Sequence, residues 1–402
     1  MQIMNHSDAS YLELMQEIRR LYGAGPVPLH RPIFEGNERQ YLVDCIDSNF
    51  VSSVGEKVAE FERKIADFVG ADHAVATVNG TAALHVSLQL AGVEANTDVI
   101  TQALTFVATC NAIKYLGASP VFIDVDRDTL GLSAIALSTF LEKHAERKNG
   151  QIINKFSGRR LAACLPMHTF GIPCRIADLK EVCEEWGIPV VEDAAESLGS
   201  TSRNQSGGWQ HTGTFGELGV LSFNGNKVIT TGGGGMIITN DASLAVRAKH
   251  LTTTAKSPHA YEFVHDELGY NYRMPNLNAA LGCAQAERLP EMLKRKSEVA
   301  DRYRKILTSS PLQFIEAPEG TRRNNWLNAV LLESREKRDE FLNNCNAEGV
   351  MVRPIWTLMN RLKMYRHCQH DGLENSQWLE DRVVNIPSSV PESSAVANNI
   401  QE

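Results

Sequence analysis

From about residue 55 the chain alternates between segments that read as helix and segments that read as strand, and this alternation limits the fold more than any other feature. EKVAEFERKIADFVG places Val58, Phe61, Ile65 and Phe68 at helical spacing. The short apolar run HAVATV follows, then the helical TAALHVSLQLAGV, the strand-like TDVITQ, and the helical FVATCNAIKYLG, which Gly117 ends. PVFIDVD, RRLAACLPM, ADLKEVCEEWG and IPVVEDAA continue as strand, strand, helix and strand, and LGVLSF and GGMIITN add two more strands. Strand and helix in turn predict an α/β fold with a mostly parallel central sheet flanked by helices.

The pattern changes after GYNYRMPNLNAALGCAQAERLPEMLKRKSEVADRYRKIL, which reads as one or two long helices broken near Pro290. Beyond it, NAVLLE and GVMVRP read as strands around the helix KRDEFLNNCNAEG. This predicts a large domain over 1–285, including an N-terminal helical segment, and a smaller C-terminal α/β domain over 286–402. A chain of 402 residues accommodates both. The N-terminus carries acids early and has no long apolar run, so it reads as an amphipathic helix rather than a signal peptide or membrane span. The last dozen residues, PESSAVANNIQE, read as a frayed end.

A formal net charge of −8 argues against nucleic acid or an anionic membrane as partner, while leaving room for a local basic pocket. Eight cysteines are scattered with no pair at C-x-x-C spacing, so no metal site is expected, and buried free thiols in the cytoplasm are.

Three motifs carry chemistry. In VNGTAALHV a strand runs into Asn79, Gly80 and Thr81, and a helix starts at once. Free N–H groups at such a helix start suit a phosphate, and the plain alternative is an ordinary cap by Asn79 or Thr81. In IPVVEDAAESLG a buried strand ends on Glu192 and Asp193. A carboxylate there needs a positive partner or hydrogen bonds, and a protonated pyridine nitrogen is one such partner; the plain alternative is that Asp193 caps the next helix. In LGVLSFNGNKVITTGGGGMIIT a strand ends at Ser222 and Phe223, a short loop presents Lys227, and four glycines follow at 232–235. Such a run means a sharp bend or a close approach. The lysine is either a reactive amine, a phosphate ligand or a surface charge, and the spacing of a phosphate-binding P-loop is absent. Together, a helix-end phosphate site, a strand-end acid and a loop lysine in that order match the needs of pyridoxal 5′-phosphate.

With these motifs in place the chain resembles the sugar aminotransferases of the DegT/DnrJ/StrS family, from PLHRPIFEGNE to VNIPSSV. The likeness runs through NGTAAL, LTFVATCNAI, PVFIDVD, PMHTFGIP, VVEDAAESLG, SFNGNKVITTGGGGM and GYNYRMPNLNAALG. Within the family it is most similar to the branch acting on UDP-linked 4-keto-6-deoxy-N-acetylhexosamines in legionaminic acid and bacillosamine pathways. The marks are FVSSVG, HTGTFGELGVLSFNGNK, HLTTTAK, EFVHDELGYNYRMPN and RPIWTLMNRLKMY.

The resemblance implies an aspartate aminotransferase-like architecture (fold type I) and a set of roles. Lys227 corresponds to the Schiff-base lysine and Asp193 to the acid on the pyridine nitrogen. Gly80, Thr81, Ala82 and Ser222 fall where the phosphate is held, and Phe106 where an aromatic stacks on the ring. Glu196 stands near the ring hydroxyl, where many members have Gln or His. Asn271 matches a residue that reaches the neighbouring subunit's cofactor, with Arg273 beside it, which implies a homodimer with shared active sites. Arg273, Arg353 and Trp356 are candidates for substrate binding, with a surface salt bridge and core packing as the plain alternatives for Arg353 and Trp356. His168 is expected to pack or hydrogen-bond rather than transfer protons, since Lys227 supplies the base. The segment 143–160 is a surface excursion.

The implied reaction moves an amino group from L-glutamate to the 4-keto position of a nucleotide sugar, with Lys227 as general base and acid. Two rivals are a sugar dehydratase on the same fold, in which histidine typically replaces the lysine, and a regulatory relative without activity. The presence of Lys227 argues against the first, and intact Lys227 and Asp193 argue against the second.

Overall fold

A computed structural model describes residues 6–308 and 310–392. Seven strands form the central sheet: β1 (His73–Thr77), β2 (Asp98–Gln102), β3 (Ser119–Ile123), β4 (Leu161–Leu165), β5 (Val191–Asp193), β6 (Leu218–Ser222) and β7 (Gly235–Thr239). Their spatial order is β1-β7-β6-β5, continued by β4-β2-β3, and parallel bridges at Cys164 to Val190 and Met167 to Asp193 join the two halves. β7 runs antiparallel to both neighbours, and the other pairs are parallel. The expected mostly parallel sheet is therefore present. Its strands are apolar on both faces because helices cover both.

Each parallel strand hands the chain to a helix or loop at the same edge. After β1, the helix Gly80–Leu90 starts with the Asn79 side chain accepting from the Ala82 N–H. After β2 comes the helix Val107–Tyr115. The helix Ile176–Trp186 ends at Gly187 in the left-handed region, as a glycine at that position allows. The helix Glu56–Val69 buries Val58, Phe61 and Ile65 as the spacing predicts, but its fourth buried large residue is Val69. Phe68 is instead 36% exposed, its edge against His211. Eleven residues are close to three full turns, so 58 and 69 share a face and 68 is rotated off it.

Asn276–Leu307 is a single helix that continues through Pro290. Leu289 and Met292 are buried on either side of the proline, so packing carries the helix past the lost hydrogen bond. Near its start Gly282 lets Phe61 approach to where a Cβ would be 2.8 Å away. Near its end Val299, Tyr303 and Leu307 join a second core with Leu14, Ile18, Val330, Val350 and Val384. That core belongs to an antiparallel sheet of Gln313–Phe314, Asn328–Leu331, Val383–Ile386 and Arg353–Pro354. The division expected near 285 thus falls inside one helix. The N-terminal helix His6–Tyr22, expected with the larger unit, packs in the second core.

The excursion at 143–160 is a hairpin, Ala145–Lys148 with Gln151–Asn154. The C-terminal tail expected to fray lies, from 393 on, outside the described residues. Among the described residues no helix is long and apolar enough to cross a membrane.

Candidate active site

The carboxyl ends of β1, β2, β5 and β6 surround a cavity of about 700 Å³, closed on its far side by the strand Arg353–Pro354 and the Trp326 loop. In open α/β sheets this edge is where ligands bind, and the volume suits a cofactor with part of a substrate. Of the residues singled out from sequence, Gly80, Thr81, Phe106, Asp193, Glu196, Ser222, Lys227, Arg353 and Trp356 line it.

Lys227 is mostly buried, and its Nζ donates to Glu196 Oε1 at 3.1 Å. The other Glu196 oxygen accepts the Phe170 N–H at 2.9 Å. Phe170 holds a left-handed backbone, φ 57°, a strained conformation for a non-glycine residue of the kind that collects at sites. Burial pushes the Glu196 carboxyl up from its usual range, and the Lys227 charge and the Phe170 N–H oppose it.

Asp193 accepts the Thr109 hydroxyl at 2.7 Å and the Ala195 N–H at 3.2 Å. Burial raises its carboxyl as well, against those two bonds and the charges of Lys227 and His168. A buried acid at the cavity edge, held by neutral donors, would suit a protonated ring nitrogen as partner.

Gly80 and Thr81 open their helix with N–H groups that meet no acceptor among the described residues. Ser222 sits against Gly80, its Cβ 3.1 Å from where a glycine Cβ would be. Ala82, expected in the same cradle, is buried and does not line the cavity; its N–H donates to Asn79 Oδ1 at 2.8 Å. The cap alternative therefore holds for that one amide. The glycine run supplies room: a Cβ at Gly235 would strike the Asn79 backbone, and Gly232 takes φ +79°. Phosphate donors, a mostly buried lysine and an edge acid face one cavity, so these residues fit pyridoxal phosphate.

Phe106 stands 48% exposed on the wall, edge-on to Trp356 at 6.1 Å between ring centroids. Trp356 also meets Phe170 at 5.0 Å, so it both packs and lines. Arg353 is exposed and donates to Asn346 Oδ1 and the Val352 carbonyl, with no acid as partner among the described residues. Asn271 and Arg273 bond to each other and lie outside this cavity, on a segment that bridges to Thr253 and Thr77.

Glu192 and His168 turn away. Strand alternation points Glu192 to the face opposite Asp193, where it accepts the N–H groups of Gly213, Phe215 and Gly216. The sequence reading missed Trp326, Asn324 and Asn226. Trp326 donates from Nε1 to the Asn226 carbonyl at 2.6 Å, and its ring lies 3.9 Å from Lys227 Nζ. The signal available was NNWLN, an aromatic among asparagines just ahead of a strand.

The chain is 34% identical over 364 residues to GDP-perosamine synthase of Escherichia coli O157:H7, covering 90% of this chain and 93% of that protein. It is 35% identical over 329 residues to the putative pyridoxal phosphate-dependent aminotransferase EpsN of Bacillus subtilis (strain 168), 82% of this chain and 81% of that one. Among solved structures, the aminotransferase TlmJ from Streptoalloteichus hindustanus superposes with a TM-score of 0.82 at 26% identity, over 94% of this chain and 97% of that one. The fold is thus the aspartate aminotransferase-like fold type I expected from the sequence. With a family model matching residues 32–401, the chain belongs to the DegT/DnrJ/EryC1/StrS aminotransferase family and is a pyridoxal-phosphate-dependent aminotransferase.

Proposed function

We propose that the protein transfers an amino group from L-glutamate to the 4-keto carbon of a nucleotide-linked 4-keto-6-deoxy sugar, and that the sugar is a UDP-linked N-acetylhexosamine destined for a surface glycan. The observation that carries the reading is the seating of Lys227 in the cavity, its Nζ on Glu196 and Asp193 at the same sheet edge. Bound pyridoxal phosphate supplies an aldehyde for an amine and a ring that takes up the electrons of a carbon losing its proton.

The residues of the chain do the rest. The Gly80 and Thr81 N–H groups and the Ser222 hydroxyl hold the phosphate at the helix start. Asp193 keeps the ring nitrogen protonated, and Phe106 walls the ring. Once free, the Lys227 amine takes the proton from the substrate carbon and returns it, first for the amino donor and then, in reverse, for the keto sugar. Glu196 accepts a hydrogen bond from the lysine amine and orients it. Arg353 and Trp356 receive the nucleotide sugar at the cavity mouth.

A homodimer with shared sites completes the reading, Asn271 and Arg273 each serving the other subunit's cavity. Two features support it: neither residue lines its own cavity, and Phe50, Val54, Tyr261, Phe263 and Leu268 expose large apolar surfaces. Eight free, buried cysteines support a cytoplasmic setting.

The likeness to GDP-perosamine synthase favours a second reading in which the nucleotide is GDP. Assaying UDP-, GDP- and dTDP-linked 4-keto sugars with glutamate decides between them. Turnover confined to UDP-N-acetyl substrates upholds the first reading, preference for GDP-linked substrates replaces it with the second, and no turnover of any 4-keto sugar contradicts both.

A further inference from the structure

Trp326 lies on the segment that leads into the second sheet, and it grips Lys227 at two points. Its indole N–H holds the carbonyl of Asn226, the residue just before the lysine, and its ring face holds the ammonium. The segment is itself anchored. Asn324 Nδ2 donates to the carbonyls of Glu196 at 2.8 Å and Leu198 at 2.9 Å, and its Oδ1 accepts the Trp326 N–H at 2.9 Å. From the long helix, the buried Lys296 donates to the carbonyls of Asn325 at 3.3 Å, Trp326 at 3.2 Å and Ser388 at 2.8 Å. One short segment thus fixes both members of the Lys227–Glu196 pair, the lysine through Trp326 and the glutamate through Asn324.

We infer that Trp326 is a positioning residue for Lys227, holding its amine on Glu196 and toward the substrate carbon. The inference rests on the reading of Lys227 as the lysine that carries the cofactor and moves the proton. A lysine side chain is long and flexible, so a fixed approach needs an outside restraint. An aromatic face attracts an ammonium, and the indole bond to Asn226 fixes the turn from which the lysine departs. Rate responds steeply to such placement, since small displacements of a reacting group cost large factors.

The test compares Trp326→Leu, which loses both grips, with Trp326→Phe, which keeps an aromatic face, and uses Lys227→Ala as reference. Two quantities are read: kcat and KM for the keto sugar, and the rate at which cofactor-free protein captures added pyridoxal phosphate, followed by absorbance. Trp326→Leu is expected to lower kcat and slow capture by roughly tenfold or more, with KM little changed. Trp326→Phe is expected to recover part of both losses, remaining about threefold below wild type for want of the indole bond. A rise in KM alone, with kcat and capture at wild-type values, makes Trp326 a mere cavity wall and overturns the inference. If Trp326→Leu does not fold by circular dichroism, Trp326→Phe decides, and wild-type kcat and capture in it overturn the inference equally. Capture and turnover by Lys227→Ala would instead overturn the reading of Lys227 on which it rests.

Discussion

His168 Nε2 donates to Glu192 Oε2 across 2.9 Å, with both side chains sealed from solvent. The other ring nitrogen, Nδ1, accepts the Cys174 N–H at 3.2 Å. Both ring nitrogens are thus engaged inside the protein, and the sealed ring has no site left for a substrate proton. His168→Ala is therefore expected to destabilise the fold by about 2–4 kcal/mol, while the folded fraction keeps its kcat. Denaturant unfolding together with activity per folded molecule checks this; a collapse of kcat at unchanged stability would put His168 in proton transfer.

Asp193→Asn separates electrostatics from shape. The asparagine oxygen keeps the Ala195 N–H, and the Thr109 hydroxyl is able to turn toward Thr105 and accept from the new amide, so unfolding should change little. The charge that keeps the ring nitrogen protonated is gone, and the rate is expected to fall by roughly 10²–10³. A near-normal rate would reduce Asp193 to its two hydrogen bonds.

Much of this site was legible because a parallel sheet presents every strand end at one edge. The ends of β1, β5 and β6 could be read from short apolar runs meeting Gly80, Asp193 and Ser222, and the lysine follows five residues after the last. Trp326 and Asn324 were not legible. They reach the site through tertiary packing from about 100 residues beyond Lys227, and nothing local distinguishes them from residues of an ordinary loop. The short strands Thr201–Arg203 and Trp209–His211 escaped for a related reason, since three residues show no periodicity. Glu192 and Asp193 looked equivalent in sequence, and only the side of the sheet each one faces tells them apart.

His211 gives the protein an acid limit. Its Nε2 accepts the Gly199 N–H at 2.7 Å and its Nδ1 donates to the Thr212 carbonyl, which is the neutral ring. Burial lowers it to about 4, against about 6.5 in the unfolded chain. A depressed folded value means that the native state resists protonation, so stability is full above pH 6.5 and is lost as the pH falls toward 4. The loss amounts to about 3 kcal/mol. Thermal unfolding of wild type and His211→Gln between pH 8 and 4 should show a shallower acid decline in the variant; parallel curves would remove His211 from the explanation.

Shared sites are tested by complementation. Lys227→Ala and Asn271→Ala subunits, each weak alone, are mixed and allowed to exchange. A two-fold interface lends each subunit the residue it receives, so a heterodimer holds one doubly defective site and one intact site, and activity should return. Heterodimers that form without regained activity would confine each site to one chain.

The most direct test of the account is to reduce the holoenzyme with borohydride and map the modified peptide. The account predicts one cofactor-modified lysine, Lys227, with both the adduct and turnover lost in Lys227→Ala. A cofactor trapped on a different lysine, or a Lys227→Ala protein that transaminates at the normal rate, would contradict it.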